Sequence, residues 1–169
     1  MENYVKEILF GYPLLKTVGR DYEIHIRNKA VLSHFCAAEP LAEYLAGEII
    51  SMHNLEALRG TVENVLGKLS AEERALVEIR YFGKRKKIRS FLKKRAEKCG
   101  EVWSEAKYFR RQRAVGEKVA ALLLFAGVTE ERYLKEFSKT DIFKKIHTFV
   151  SAGKDKVIAA DERRWMEKR

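Results

Sequence analysis

The chain has 169 residues, of which 46% are hydrophobic and 34% are charged, a mixture that excludes an intrinsically disordered protein. Its acidic start lacks the basic and apolar regions of a signal peptide, and its longest strongly apolar run, Val119 to Val128, is too short to span a bilayer. The two cysteines, Cys36 and Cys99, suit reduced thiols, with one disulfide as the alternative, so we expect a cytoplasmic protein without a membrane role.

The formal charge of +10 is concentrated in one part of the chain, residues 84–113, which we call the basic segment. It holds thirteen Lys or Arg and three Glu, a net charge of +10, and the remainder holds 21 basic and 21 acidic residues. Although a short run of charge is usually a solvated helix face, selection for solubility would spread the charge along the chain. A concentrated positive field attracts a polyanion, of which DNA and RNA are the most common.

The spacing of apolar residues is helical along the whole chain, so we predict an all-α fold, a helical bundle. In residues 1–69, Pro13 and Pro40 are each predicted to lie in the first turn of a helix, where proline is tolerated. The apolar stripes after them indicate an N-terminal helical hairpin. Those stripes serve either as monomer core or as the seam of a homodimer, and the sequence leaves both open.

Residues 70–126 are predicted to form three helices with short joints. Ser70 and Glu73 have the spacing of a capping box, which starts the first helix, and Gly83 ends it. A short basic helix follows and stops at Gly100. Its predicted inner face consists of Ile88, Phe91, Leu92 and Ala96.

The third helix of this region is predicted to begin at Ser104, a favourable N-cap residue, with Trp103 and Tyr108 at the two positions of a hydrophobic staple. Basic side chains project from its first turns. This is the plan of a helix-turn-helix motif, whose second helix enters the major groove by its N-terminal end. The amides of that end suit phosphate, and arginine can pair with a guanine edge.

Residues 127–169 are predicted to form a C-terminal helical region. Thr129 is expected to cap one helix, and a further helix is expected to end near Gly153. The tail from Lys154 is also predicted to be helical.

Two stretches resemble a known group of proteins. The run Leu69–Phe82 looks like the opening of region four of bacterial sigma factors. The run Trp103–Gln112 resembles the start of the recognition helix in the sigma-like phage transcriptional regulators of Gram-positive bacteria. The resemblance covers Leu69–Leu123, and the part between Phe82 and Ser104 is longer than the usual sigma-type spacing. It implies binding to promoter or operator DNA, and RNA polymerase is a further partner to consider.

Carried over by position, Glu105, Ala106, Lys107, Arg110 and Arg111 are expected to face the groove. Tyr108 and Val115 are expected to face the core, and the lysines and arginines between residues 84 and 94 to contact phosphates. The predicted DNA-binding residues are Lys84, Arg85, Lys86, Lys87, Arg89, Lys93, Lys94, Ser104, Glu105, Ala106, Lys107, Arg110, Arg111 and Arg113.

No constellation typical of an enzyme, a cofactor site or a metal site is expected. The four histidines, His25, His34, His53 and His147, lack the spacing of a metal-binding helix, and Cys99 has no histidine near it in sequence. The sequence therefore favours a sequence-specific regulator or sigma-like factor that binds duplex DNA. The alternatives are an RNA or single-strand binding protein and a helical protein-interaction module that uses the basic segment.

Overall fold

A computed structural model describes residues 2–31, 38–100 and 102–167; Cys36 and His34 lie outside these ranges. The secondary structure of the described residues is helical throughout, without a strand, which confirms the predicted all-α class. None of the described helices is long and apolar enough to cross a membrane. The elements are α1 (Asn3–Val31), α2 (Ala38–Gly67), α3 (Ala71–Tyr81), a 3-10 turn (Arg85–Lys87), α4 (Ile88–Cys99), α5 (Glu105–Phe125), α6 (Glu130–Glu136), α7 (Asp141–Ser151) and α8 (Lys154–Glu167).

Short-range hydrogen bonds set the starts of the predicted helices. The Glu73 amide donates to Ser70 Oγ over 3.2 Å, and the Ser70 amide donates to the Glu73 carboxylate over 2.9 Å, so both halves of the capping box are present. The hydroxyl of Ser104 accepts from the amide three residues later, also over 3.2 Å, and Thr129 does the same. The three predicted N-caps are therefore confirmed.

The predicted ends of α3 and α4 are also confirmed. Gly83 and Gly100 follow these helices with φ of 70° and 63°, a left-handed backbone that glycine adopts without a steric penalty. The Gly100 amide donates to the carbonyl of Ala96 over 2.8 Å. Gly100 therefore ends α4 shortly before Ser104, the N-cap residue of α5.

The predicted position of Pro13 is wrong. It was expected in a first helical turn, but α1 begins at Asn3 and Pro13 lies in its interior. Proline there lacks an amide donor and crowds the carbonyl four residues earlier. The helix nevertheless continues, because buried residues on both sides of the proline, including Leu9 and Leu15, pack in the core. Pro40, by contrast, lies in the first turn of α2, as predicted.

One buried apolar cluster joins the three predicted segments of the chain. It draws on the first half of α1, the second half of α2, and α3, α5, α6 and α7. Its most fully buried large side chains include Leu9, Leu66, Leu76, Tyr108 and Phe143. The second half of α1 and the first half of α2 extend beyond this cluster.

A buried carboxylate ties the beginning of the chain to its C-terminal part. Glu7 is 2% exposed; it accepts a hydrogen bond from the Tyr133 hydroxyl over 2.5 Å and lies 2.9 Å from His147 Nδ1. Burial and this bond to Glu7 raise the pKa of Tyr133. The cluster links α1 to α6 and α7, and it gives the buried Glu7 side chain the polar partners without which its burial would be costly.

Candidate nucleic-acid interface

Helix α5 is fixed against α3 by polar contacts as well as by apolar packing. Gln112, which is buried, donates through Nε2 to the Leu76 carbonyl and to the Tyr108 hydroxyl, each over 3.0 Å. Lys118 Nζ lies 2.9 Å from both carboxylate oxygens of Glu73, and this hydrogen bond lowers the pKa of Glu73. The contacts set the rotation of α5 about its own axis.

That rotation turns one face of α5 to solvent. Arg110, Arg111 and Arg113 are exposed, as are Glu105 and Ala106. The three arginines form no ion pair with another residue in the described ranges. Tyr108 and Val115 are buried, as predicted.

The turn between α4 and α5 brings basic groups of both helices to one indole ring. Trp103 is 2% exposed and meets the ring of Phe91 edge to face, with centroids 5.8 Å apart. The Arg95 guanidinium lies 5.5 Å from the Trp103 centroid, and Lys107 Nζ lies 5.9 Å from it. Since both cations are within the range of cation–π attraction, the end of α4 and the start of α5 are close together.

The basic residues before and along α4 differ in how free they are to meet an anion. Lys84 is half-buried and lies 2.7 Å from Glu78, and this hydrogen bond lowers the pKa of Glu78. Lys93 and Glu97 are both exposed, and their charged atoms are 4.0 Å apart, which makes a weak ion pair. Of the other residues predicted to contact phosphates in this stretch, Arg85 is half-buried. The exposed ones are Lys86, Lys87, Arg89 and Lys94.

Helix α8 packs beside this region, an arrangement that the sequence does not predict. Glu162 is fully buried and accepts a hydrogen bond from Arg80 over 2.7 Å; burial raises its pKa, although Arg80 opposes the shift. Arg85 lies 3.9 Å from Asp161.

Helix α8 also reaches the first residue of α5. Arg163 lies 2.8 Å from Glu105, and its guanidinium is 5.4 Å from the centroid of the Phe109 ring. Two of the predicted DNA-binding residues, Arg85 and Glu105, are therefore paired with α8. The periodicity of α8 does not signal these pairs, because their partners are distant in sequence.

The predicted site residues thus lie in two groups, on elements that include α4 and α5, and each of these two helices places one cation over Trp103. One group is the exposed face of α5 near Ser104, whose own side chain is exposed. The other consists of the lysines and arginines of the 3-10 turn and of α4. Arg95, which was not among the predicted site residues, lies at the junction and is paired with Glu72 over 3.0 Å.

The part of the chain that the structure describes contains no group of three or more His, Cys, Asp or Glu side chains placed to hold a metal ion. Cys99 is a free, exposed thiol. Most of the exposed charged groups among the predicted site residues are ammonium and guanidinium groups, which bind anions.

Comparisons of the chain with family models, with curated proteins and with solved structures found no match.

Proposed function

We propose that this chain is a transcriptional regulator that binds duplex DNA, with the exposed face of α5 in the major groove. The lysines and arginines of the 3-10 turn and α4 contact the phosphates on either side. The observation that carries the proposal is the orientation of α5: Arg110, Arg111 and Arg113 are exposed while the opposite face is buried against α3. A helix fixed in this way presents a basic surface without any rearrangement of the core.

The distribution of charge supports the same proposal. The basic segment carries the whole net charge of +10, and the rest of the chain is formally neutral. In the proposed complex, phosphate contacts supply most of the affinity and a few side chains on α5 read the bases. The pair between Arg163 and Glu105 supports it further, because it neutralises an acid that would otherwise repel phosphate at the start of α5.

The positions of the aromatic side chains favour a duplex over a single strand. Proteins that bind single strands stack bases on accessible aromatic rings. Here Trp103 and Tyr108 are 2% and 0% exposed, and Phe91 and Phe109 are half-buried. These four rings near the basic surface are therefore packed within the protein, fully or in part, and are not fully exposed for stacking with bases.

The first experiment measures binding to duplex DNA by fluorescence anisotropy over a salt series. We expect log K to fall by about 0.9 per phosphate neutralised for each decade of salt. The variant R110A/R111A/R113A should bind more weakly, with the salt slope reduced by about 1 for each arginine that contacts a phosphate.

A matched control removes three positive charges elsewhere. Lys135, Lys139 and Lys145 are exposed residues of the α6–α7 region, and K135A/K139A/K145A changes the net charge by the same amount. This control should bind almost as well as the wild type. Equal losses in the two triple variants would reduce the effect to net charge and refute the proposed interface.

Selection of bound sequences from a random duplex pool then tests base recognition. An enriched motif is expected, and tighter binding to single-stranded DNA or RNA of equal length would contradict the duplex proposal. If the chain binds RNA polymerase but not DNA, and R110A/R111A/R113A leaves that binding unchanged, the result would instead favour a protein-interaction module.

A further inference from the structure

The two helices of the N-terminal hairpin extend beyond the core as what we call the outer arm, residues 16–31 of α1 and 39–54 of α2. No residue of these two ranges is buried. The inner parts of the same helices differ sharply, since Val5, Ile8, Leu55 and Val62 are almost inaccessible to solvent. The contrast identifies a surface whose packing is incomplete within one chain.

Large apolar side chains are exposed along this arm. Five of the ten exposed large hydrophobic residues in the described ranges lie on it: Ile24 (50%), Val31 (70%), Tyr44 (47%), Ile49 (38%) and Ile50 (60%). Two helices alone cover only the seam between them, and most helix stability comes from tertiary packing of an apolar face. An exposed apolar surface of this kind typically marks an interaction site.

The two helices of the arm are paired with each other along one side. His25 Nε2 of α1 lies 3.1 Å from the Tyr44 hydroxyl of α2, and the two rings meet edge to face with centroids 6.2 Å apart. One side of each helix is therefore already occupied, Tyr44 included, which leaves the exposed side chains of Ile24, Val31, Ile49 and Ile50 for a separate partner.

The charges on the two helices have opposite sign. Residues 16–31 hold four basic and two acidic residues, and residues 39–54 hold three acidic and no basic residues. Within the described residues, the one ion pair formed by charged residues of the arm joins Arg27 to Glu23. The acids Glu39 and Glu43 and the cations Lys16, Arg20 and Lys29 are exposed.

We propose that the outer arm binds a second copy of this chain, with α2 of each copy packed against α1 of its partner in a four-helix bundle. A two-fold axis forms both α1–α2 contacts at once, because the same patch is used on each subunit. Each contact then joins a positive helix to a negative one, whereas α1 against α1 or α2 against α2 would join like charges. The proposal does not depend on DNA binding.

The apolar part of the proposal is tested by analytical ultracentrifugation of the full chain over a range of concentrations. We expect the wild type to form a dimer and I24E/I50E to lose it at concentrations where the wild type is dimeric. Both isoleucines are exposed in one chain, so the folded monomer should tolerate the change; helicity and the unfolding midpoint check this.

The matched control places the same charges on exposed apolar residues outside the arm. Leu124 and Leu134 are 57% and 54% exposed, and L124E/L134E should remain dimeric. A wild type that stays monomeric at every concentration would overturn the proposal. Dissociation by L124E/L134E, with I24E/I50E still dimeric, would overturn it too by placing the contact elsewhere.

The charge pattern is tested by reversal. E39K/E43K/E48K makes α2 positive and should weaken the dimer, because α2 would then face a positive α1; contacts between identical helices would not weaken. K16E/R20E/K29E should weaken it for the converse reason. Mixing the two variants should restore association as a heterodimer, and failure to restore it would contradict the proposed pairing.

Discussion

Neighbouring residues of α5 have opposite roles. Gln112 is buried and bonded to Leu76 and Tyr108, whereas Arg111 is exposed and forms no ion pair with a described residue. Both belong to the stretch that is proposed to contact DNA. In that proposal only the residue that faces solvent can reach DNA, so substitutions at the two positions should separate stability from binding.

Gln112→Leu should lower the free energy of unfolding by about 1–3 kcal/mol, because the buried Tyr108 hydroxyl loses its donor. Arg111→Ala should leave that free energy within about 0.5 kcal/mol of the wild type. If the Arg111 side chain pairs with a base, Arg111→Ala should weaken binding to the preferred site by about 1–3 kcal/mol. Urea unfolding and anisotropy measure the two effects. Loss of sequence preference in a stably folded Gln112→Leu protein would contradict this division.

At the scale of helices, local signals were the most predictable from sequence. The caps at Ser70, Ser104 and Thr129 depend on contacts within three residues, and all three are present. The predicted position of Pro13 is wrong because core packing of the residues around it outweighs the tendency of proline to end a helix. A rule based on local sequence does not include such packing. The approach of Glu162 to Arg80 spans 82 residues and leaves no periodic signal in the sequence.

The interior position of Pro13 leads to a prediction for α1. Pro13 is exposed, so Pro13→Ala removes little packing while it restores an amide and relieves the crowding of the preceding turn. We expect the free energy of unfolding to rise by about 1–3 kcal/mol. Thr17→Ala, at an exposed position one turn later, is the control and should change it by less than about 1 kcal/mol. A decrease for Pro13→Ala, measured by thermal unfolding, would mean that a bend at this position is needed.

At the scale of the whole molecule, the Glu7 cluster joins parts of the chain more than 120 residues apart. Tyr133→Phe removes one hydrogen bond from a buried carboxylate and should lower the free energy of unfolding by about 1.5–3 kcal/mol. Ser151→Ala is the control, since Ser151 is exposed and only touches the outer nitrogen of His147, 3.3 Å away. Similar small losses in the two variants, by urea unfolding, would contradict a structural role for the cluster.

The concentration of charge was visible in the sequence, but its accessibility was not. The structure was needed to place Arg85 beside Asp161 and Glu105 beside Arg163. It also separated Lys84, which is half-buried against Glu78, from Lys86 and its exposed neighbours. These pairs depend on how α8 and α3 pack, and the local sequence around each side chain predicts only that it is exposed to solvent.

Because α1 and α2 each run without interruption from the core into the outer arm, the arm has a fixed length. At about 1.5 Å per residue, the 16 residues from 39 to 54 extend roughly 24 Å. In the proposed dimer, the number of residues in the arm sets the distance between the two α5 helices and their relative angle. The spacing between two halves of a DNA target would then be encoded far from any residue that touches DNA.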